Sequence, residues 1–242
     1  MTKRFRKDLV SGRVASLGPV HVVVAIALVA ALIGPPEGGT VRGAPERGAS
    51  RPTIANDHIP FGARRKHQMG RYSRRHYGRA RWRLRHPRVI VLHFTGGNSY
   101  SSARNHFASN APARGELPGV CAHFLIGRRG RIGSIVPMTI RCRHAIGLNH
   151  RSIGVEMVQA TGRGSHWAAR QILRRDRQIQ RALRLVAYLK MKFDIRMRDV
   201  IGHAMANASS YFRDRQGWRN DHTDWLPREV KVFRRRLKRL LR

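Results

Sequence analysis

The sequence predicts an α/β fold, and three observations carry the prediction. Short, uninterrupted apolar runs rich in β-branched and aromatic residues recur along the chain, and stretches with helical periodicity lie between them. Such runs lack polar alternation, which suits strands covered on both faces by helices. Finally, 242 residues with 41% hydrophobic content allow one well-filled core with appendages and not two.

Each element follows from local pattern. Lys3, Arg4, Arg6, Lys7 and Arg13 precede an apolar run of 14 residues, Val20 to Ile33, closed by Gly34-Pro35-Pro36. This is the layout of a secretory signal peptide, and the run is short of the roughly 20 residues a membrane span needs. Residues 1–34 are therefore expected to be a signal peptide or N-terminal anchor, and residues 35–55 a Pro/Gly/Arg-rich linker. The remainder is expected outside the cytoplasm, secreted or in the cell wall or periplasm, touching membrane only through that N-terminal segment. From Ile59 the sequence reads as structured, and Pro60 and Gly62 precede a basic helix through Tyr77, with Met69, Tyr72 and His76 on one side and Gly78 as its stop. Val89-Ile90-Val91-Leu92-His93-Phe94 is a buried strand opening into Thr95-Gly96-Gly97. Ser99 or Ser101 caps a short helix ending near Ser109. Residues 122–126 and 131–136 flank Gly127-Arg128-Arg129-Gly130 as a hairpin, and residues 153–158 form another apolar strand. Ile172, Ile179, Leu183, Val186 and Lys190 recur at helical intervals, which predicts one long amphipathic helix over 167–193. Val200-Ile201 is a last short strand before Gly202-His203. Residues 227–242 form a basic amphipathic helix with Val230, Phe233, Leu237 and Leu240 inward.

Charge and cysteine content narrow the function classes. The chain carries 49 Lys+Arg against 13 Asp+Glu, a formal net charge of +36, so its surface attracts polyanions. A nucleic-acid binder is not favoured, because the basic residues lack interleaved aromatics apart from Trp82, and charge leaves the histidine and glutamate motifs unexplained. Two cysteines, Cys121 and Cys142, exclude a Cys-rich zinc module. Each lies two residues before a histidine of interest, His123 and His144, and in an exported protein they are expected to pair.

Among thirteen histidines, three stand beside glycines or acids at the ends of apolar segments: His93, His203 and His222. A hydrolytic zinc site takes three protein ligands and leaves a position for water, which three neutral imidazoles suit. Asp221 and Asp224 flank His222, and either can instead be the ligand or the acceptor that orients an imidazole. Glu156 is the only carboxylate between Glu116 and Asp176 and sits in an apolar strand. Burial there is costly without a partner or a task, and a raised pKa suits a group that takes a proton from water and hands it on. A salt bridge to one of the many arginines is the structural alternative.

These motifs together resemble a family. The stretch from Val89 to Thr95, then Ala122-His123-Phe124-Leu125-Ile126-Gly127, then Arg143-His144-Ala145-Ile146-Gly147-Leu148-Asn149-His150 running into Ser152-Ile153-Gly154-Val155-Glu156, and finally Gly202-His203, are similar to the zinc-dependent N-acetylmuramoyl-L-alanine amidases. Those enzymes share a fold with the peptidoglycan recognition proteins. The resemblance spans about residues 56–226 and implies a central mixed β-sheet flanked by helices, with a groove for peptidoglycan. It implies zinc held by His93 and His203, Glu156 as catalytic glutamate, His144 as the histidine of the motif before that strand, and His123 beside the site. Family members commonly finish the site with a lysine two residues before an aspartate ligand, followed by proline and glycine. Here the stretch reads Asn220-Asp221-His222-Thr223-Asp224-Trp225. His222 is expected in the aspartate's place, with oxyanion stabilisation from zinc, Asn220, Arg219 or His144. The implied activity is cleavage of the amide between the lactyl group of N-acetylmuramic acid and L-alanine, on a wall whose anionic polymers attract a basic enzyme. A peptidoglycan-binding module that has lost zinc is the alternative.

Overall fold

A computed structural model of the chain describes residues 50–242. The expected signal segment, and the linker up to residue 49, lie outside the described residues. Six strands make one sheet: β1 (Ala55–Asn56), β2 (Val89–Gly96), β3 (Phe124–Ile126), β4 (Ile132–Ser134), β5 (Ser152–Ala160) and β6 (Val200–Gly202). Their spatial order is β1-β4-β3-β5-β2-β6, with β3 and β4 antiparallel and every other neighbouring pair parallel. The sheet is therefore mixed, the hairpin supplying its single reversal.

Among the described residues five α-helices accompany it: α1 (Ala63–Tyr77), α2 (Tyr100–Ala108), α3 (Ser165–Arg174), α4 (Asp176–Lys192) and α5 (Pro227–Leu240). Ile90, Leu92, Phe124, Ile126, Val155 and Met157 face α3, α4 and α5, packing on Ile172, Ile179, Leu183, Val186, Val230, Phe233 and Leu237. The alternate residues Val89, Val91, Leu125 and Val158 pack on the opposite side, against loops, α2 and the Cys121–Cys142 pair. With both faces covered, no polar alternation is needed, which is why the strands read as continuous apolar runs. Among the described residues no helix is long and apolar enough to cross a membrane.

Two expectations need correction. The helix over 167–193 is two helices, broken at Arg175, whose backbone is extended (φ −89°, ψ 92°). The Arg175 guanidinium donates to Gln178 and Gln159 across the break, and Asp176 opens α4, where a carboxylate favours the positive end of the helix dipole. Ile172 and Ile179 keep one helical phase through the break, so periodicity alone showed no gap. Leu240 is 43% exposed rather than inward, because α5 outruns the core in its last turn. The remaining inward residues of α5 belong to the main core. Ser99 caps α2 by accepting the Ser102 N–H at 3.2 Å. Cys121 and Cys142 are joined, with Cα atoms 5.5 Å apart.

Candidate active site

The site forms where β2, β5 and β6 end side by side. In the β2–β5 register His93 lies opposite Glu156, and strand alternation turns both away from α3–α5 to the same face. β6 delivers His203 directly after Gly202, one strand over on the other side of β2. A third residue arrives from a loop. The chain crosses β6 so closely that a Cβ on Gly202 would collide with the Trp225 carbonyl and side chain. Trp225 is fully buried with φ 55°, and its indole N–H donates to the His93 carbonyl at 3.2 Å. This anchor sets the preceding Asp224 against the two imidazoles.

Asp224 Oδ2 lies 3.2 Å from His93 Nδ1, and its Oδ1 lies 3.1 Å from His203 Nδ1. The two Nδ1 atoms are themselves 3.1 Å apart. One donor atom from each residue lies within 4.8 Å of the others, and all three residues are buried. Burial first, and then His203, lower the His93 pKa to about 4. Neutral imidazole beside ionised carboxylate is the protonation state metal binding requires. Two ring nitrogens and a carboxylate oxygen are also a donor set zinc accepts, so the residues fit the ion.

Glu156 has no side-chain hydrogen bond or ion pair among the described residues, so the expected alternative, an arginine partner, is absent there. Burial, reinforced by Asp224, pushes its pKa well above the carboxylate norm. It opens with His93, His203 and Asp224 onto a cleft of about 660 Å³, bounded by Asn98, Ser99, Ser102 and Thr161.

The remaining candidates sit differently from expectation. His222 lies outside the donor cluster: its side chain is 63% exposed and its ring stacks on His203 at 4.4 Å. The expectation placed His222 by its spacing from Asn220, whereas the Trp225 anchor brings Asp224 inward. Asp221 is exposed and pairs with Arg114. His123 is fully buried beneath the site, donating Nε2–H to the Ile140 carbonyl and accepting the Gly154 N–H on Nδ1, each at 3.0 Å. It therefore offers no donor to a substrate. His144 contacts His93 Nε2 and the Ser152 hydroxyl through its two ring nitrogens, each at 3.1 Å. Its ring lies on Gly154, where a Cβ would come within 2.8 Å of it. Asn220 spends its amide on Ile146, His203 and Asn207, so it too has no group left for an oxyanion. Sequence reasoning missed Ser152 and Trp225. The one available signal was a tryptophan directly after the last acid of a polar loop.

A buried His–His–Asp donor set that could hold a metal ion, beside a buried carboxylate with no partner among the described residues, opens onto a polar cleft, an arrangement suited to hydrolysis. The chain belongs to the N-acetylmuramoyl-L-alanine amidase family, whose sequence profile matches residues 83–225 and so includes His93, Glu156, His203 and Asp224. It is a peptidoglycan amidase, hydrolysing the bond between the N-acetylmuramic acid lactyl group and L-alanine. Several solved structures are similar. An N-acetylmuramoyl-L-alanine amidase endolysin from Clostridium intestinale is 18% identical over 76% of this chain and 97% of its own, with a TM-score of 0.44. A mutant endolysin from Bacillus subtilis is 15% identical over 76% and 98%, with a TM-score of 0.47. The amidase AmiD from E. coli, bound to an anhydro-muramyl peptide, is 22% identical over 50% and 49%, with a TM-score of 0.40. No curated protein matches the chain.

Proposed function

We propose that this amidase is zinc-dependent, with His93, His203 and Asp224 as ligands and Glu156 as general base and then general acid. The observation that carries the reading is the β2–β5 register, which sets His93 beside Glu156 while Trp225 holds Asp224 on the same donor cluster. Zinc held there supplies Lewis acidity, polarising a carbonyl and making water nucleophilic near neutral pH. Glu156 takes a proton from the attacking water as its oxygen bonds to the lactyl carbonyl carbon. The same carboxyl returns that proton to the alanine nitrogen as the C–N bond breaks.

With Asp224 as ligand, His222 stands two residues before it, where family members commonly carry lysine. Its exposed ring borders the cleft and donates an N–H to the developing oxyanion, a task for which a neutral imidazole suffices. Partial desolvation where the ring lies on His203, and then the His203 charge, lower the His222 pKa, which favours the neutral ring.

The basic surface holds the enzyme on anionic wall polymers. Beyond Asn98 the cleft meets a second cavity lined by Arg128, Arg129, Arg131 and Arg175, of which only Arg131 has a carboxylate partner among the described residues. The Cys121–Cys142 bond agrees with an oxidising compartment, and export through residues 1–34 completes the reading.

Metal analysis tests the assignment. Purified protein is expected to hold one zinc, Asp224→Ala to lose it under mild chelation, and His222→Ala to keep it while turning over more slowly. Retention by Asp224→Ala with loss by His222→Ala overturns the ligand set.

A further inference from the structure

We infer that Ser152 and Asn220 are positioning residues that fix the tautomers of His93 and His203, each through hydrogen bonds whose direction is dictated by a backbone group. The inference rests on the reading of His93, His203 and Asp224 as zinc ligands.

The first chain starts at the Leu148 carbonyl, which only accepts. Ser152 therefore donates its hydroxyl proton to it, over 2.8 Å. With that proton committed, Ser152 Oγ accepts from Nε2–H of His144 at 3.1 Å. A neutral imidazole has one ring proton, so His144 Nδ1 is a lone pair and receives Nε2–H of His93, also at 3.1 Å. His93 Nδ1 is then unprotonated, and it is the atom that faces Asp224.

The second chain starts at Ile146. Its N–H donates to Asn220 Oδ1 at 3.0 Å and its carbonyl accepts from Asn220 Nδ2 at 2.8 Å, which fixes the amide orientation. Oδ1 cannot donate, so the 2.9 Å contact to His203 Nε2 requires the proton on His203. His203 Nδ1 is likewise left as a lone pair toward Asp224.

Both chains are rooted two residues apart, at Ile146 and Leu148. Asn149 braces this turn by accepting the His144 and Ala145 N–H groups at 2.8 Å each. The result is three lone-pair atoms converging with no proton among them, an arrangement that is repulsive until a cation joins it. The same loop thus readies both imidazoles before metal arrives, and the wrong tautomer at either would present an N–H to the ion.

The test uses the full chain with ¹⁵N-labelled histidine, stripped of metal by chelation and then reloaded with zinc. Long-range ¹H–¹⁵N spectra are expected to show His93, His144 and His203 protonated at Nε2 in the stripped protein, with zinc loading shifting Nδ1 of His93 and His203. A predominant Nδ1–H form at any of the three overturns the inference without recourse to a variant. Ser152→Ala is expected to populate the Nδ1–H form of His144 and weaken zinc by about 10- to 100-fold in chelator competition. Ser152→Thr, which retains the hydroxyl, is expected to restore most of both. Unchanged tautomers and zinc affinity in Ser152→Ala refute the relay. Wild-type protein that shows the stated tautomers but binds no zinc supports the relay and refutes the ligand reading instead.

Discussion

Replacing Glu156 with glutamine separates the chemistry of the site from its architecture. The side chain is 8% exposed and has no hydrogen-bond partner among the described residues, so the substitution breaks no bond. Glutamine has nearly the same volume and opens no cavity, and it removes the cost of keeping a charge in a desolvated place. It cannot, however, take a proton from water or return one to an amine. General acid–base groups contribute about 10²- to 10⁴-fold, or about 2.7–5.5 kcal/mol of transition-state stabilisation. Stability moves the other way. An unfolded glutamate titrates near 4.3, while burial, then Asp224, raise the folded value well above that. Between the two values the folded state binds more protons, so stability falls as pH rises through the window, and the full cost is present above the folded pKa. Metal-free Glu156→Gln should therefore melt with wild type at about pH 4 and above it at about pH 8. Activity is read as free alanine amino termini released from purified peptidoglycan, alongside zinc content and melting temperature. Near wild-type release removes Glu156 from the mechanism. Loss of zinc in proportion to activity makes it part of the metal site instead.

Gly154→Ala places a Cβ 2.8 Å from the His144 ring and should displace it, weakening zinc by about 10- to 100-fold in chelator competition while far-UV dichroism stays unchanged. Reducing the Cys121–Cys142 bond, which closes a 21-residue separation, should cost about 3 kcal/mol in denaturant melts; an unchanged midpoint would contradict this. His123 is held neutral with a pKa of about 4, chiefly by burial. An unfolded histidine takes a proton near 6.5, so this group's contribution is complete above that pH and drains away as pH falls toward 4, by about 3 kcal/mol. NMR titration should find His123 uncharged at pH 5, and a ring already protonated there would reverse the assignment.

Much of this was legible in local pattern. Gly78 ends α1 with φ 83°, Ser99 caps α2, and the Gly127–Gly130 turn forms the hairpin because these are properties of a few adjacent residues. His93, His203 and Glu156 stood out because a polar side chain in or ending an apolar strand is costly, and the sheet does bring them to one cleft. Reasoning failed where the deciding contact was remote. His123 resembled a site residue by its motif, yet the Gly154 N–H and the Ile140 carbonyl consume both its nitrogens beneath the sheet.

The sequence by itself determined every described strand except β1, most of the helices, the two strand-end histidines and the lone acid, since these depend on period, burial and neighbours along the chain. Tertiary structure alone decided which residue completes the donor set. His222 and Asp224 are two positions apart, and both are chemically competent to bind zinc. What separates them is Trp225, buried against Gly202 and bonded to the His93 carbonyl, and that packing pulls Asp224 inward and leaves His222 stacked at the rim. Tertiary structure likewise split α3 from α4 at Arg175 through glutamines on two different elements. It also joined Ser152 to His93 through His144. Such contacts join residues distant in sequence, and a periodicity computed along the chain carries no information about them.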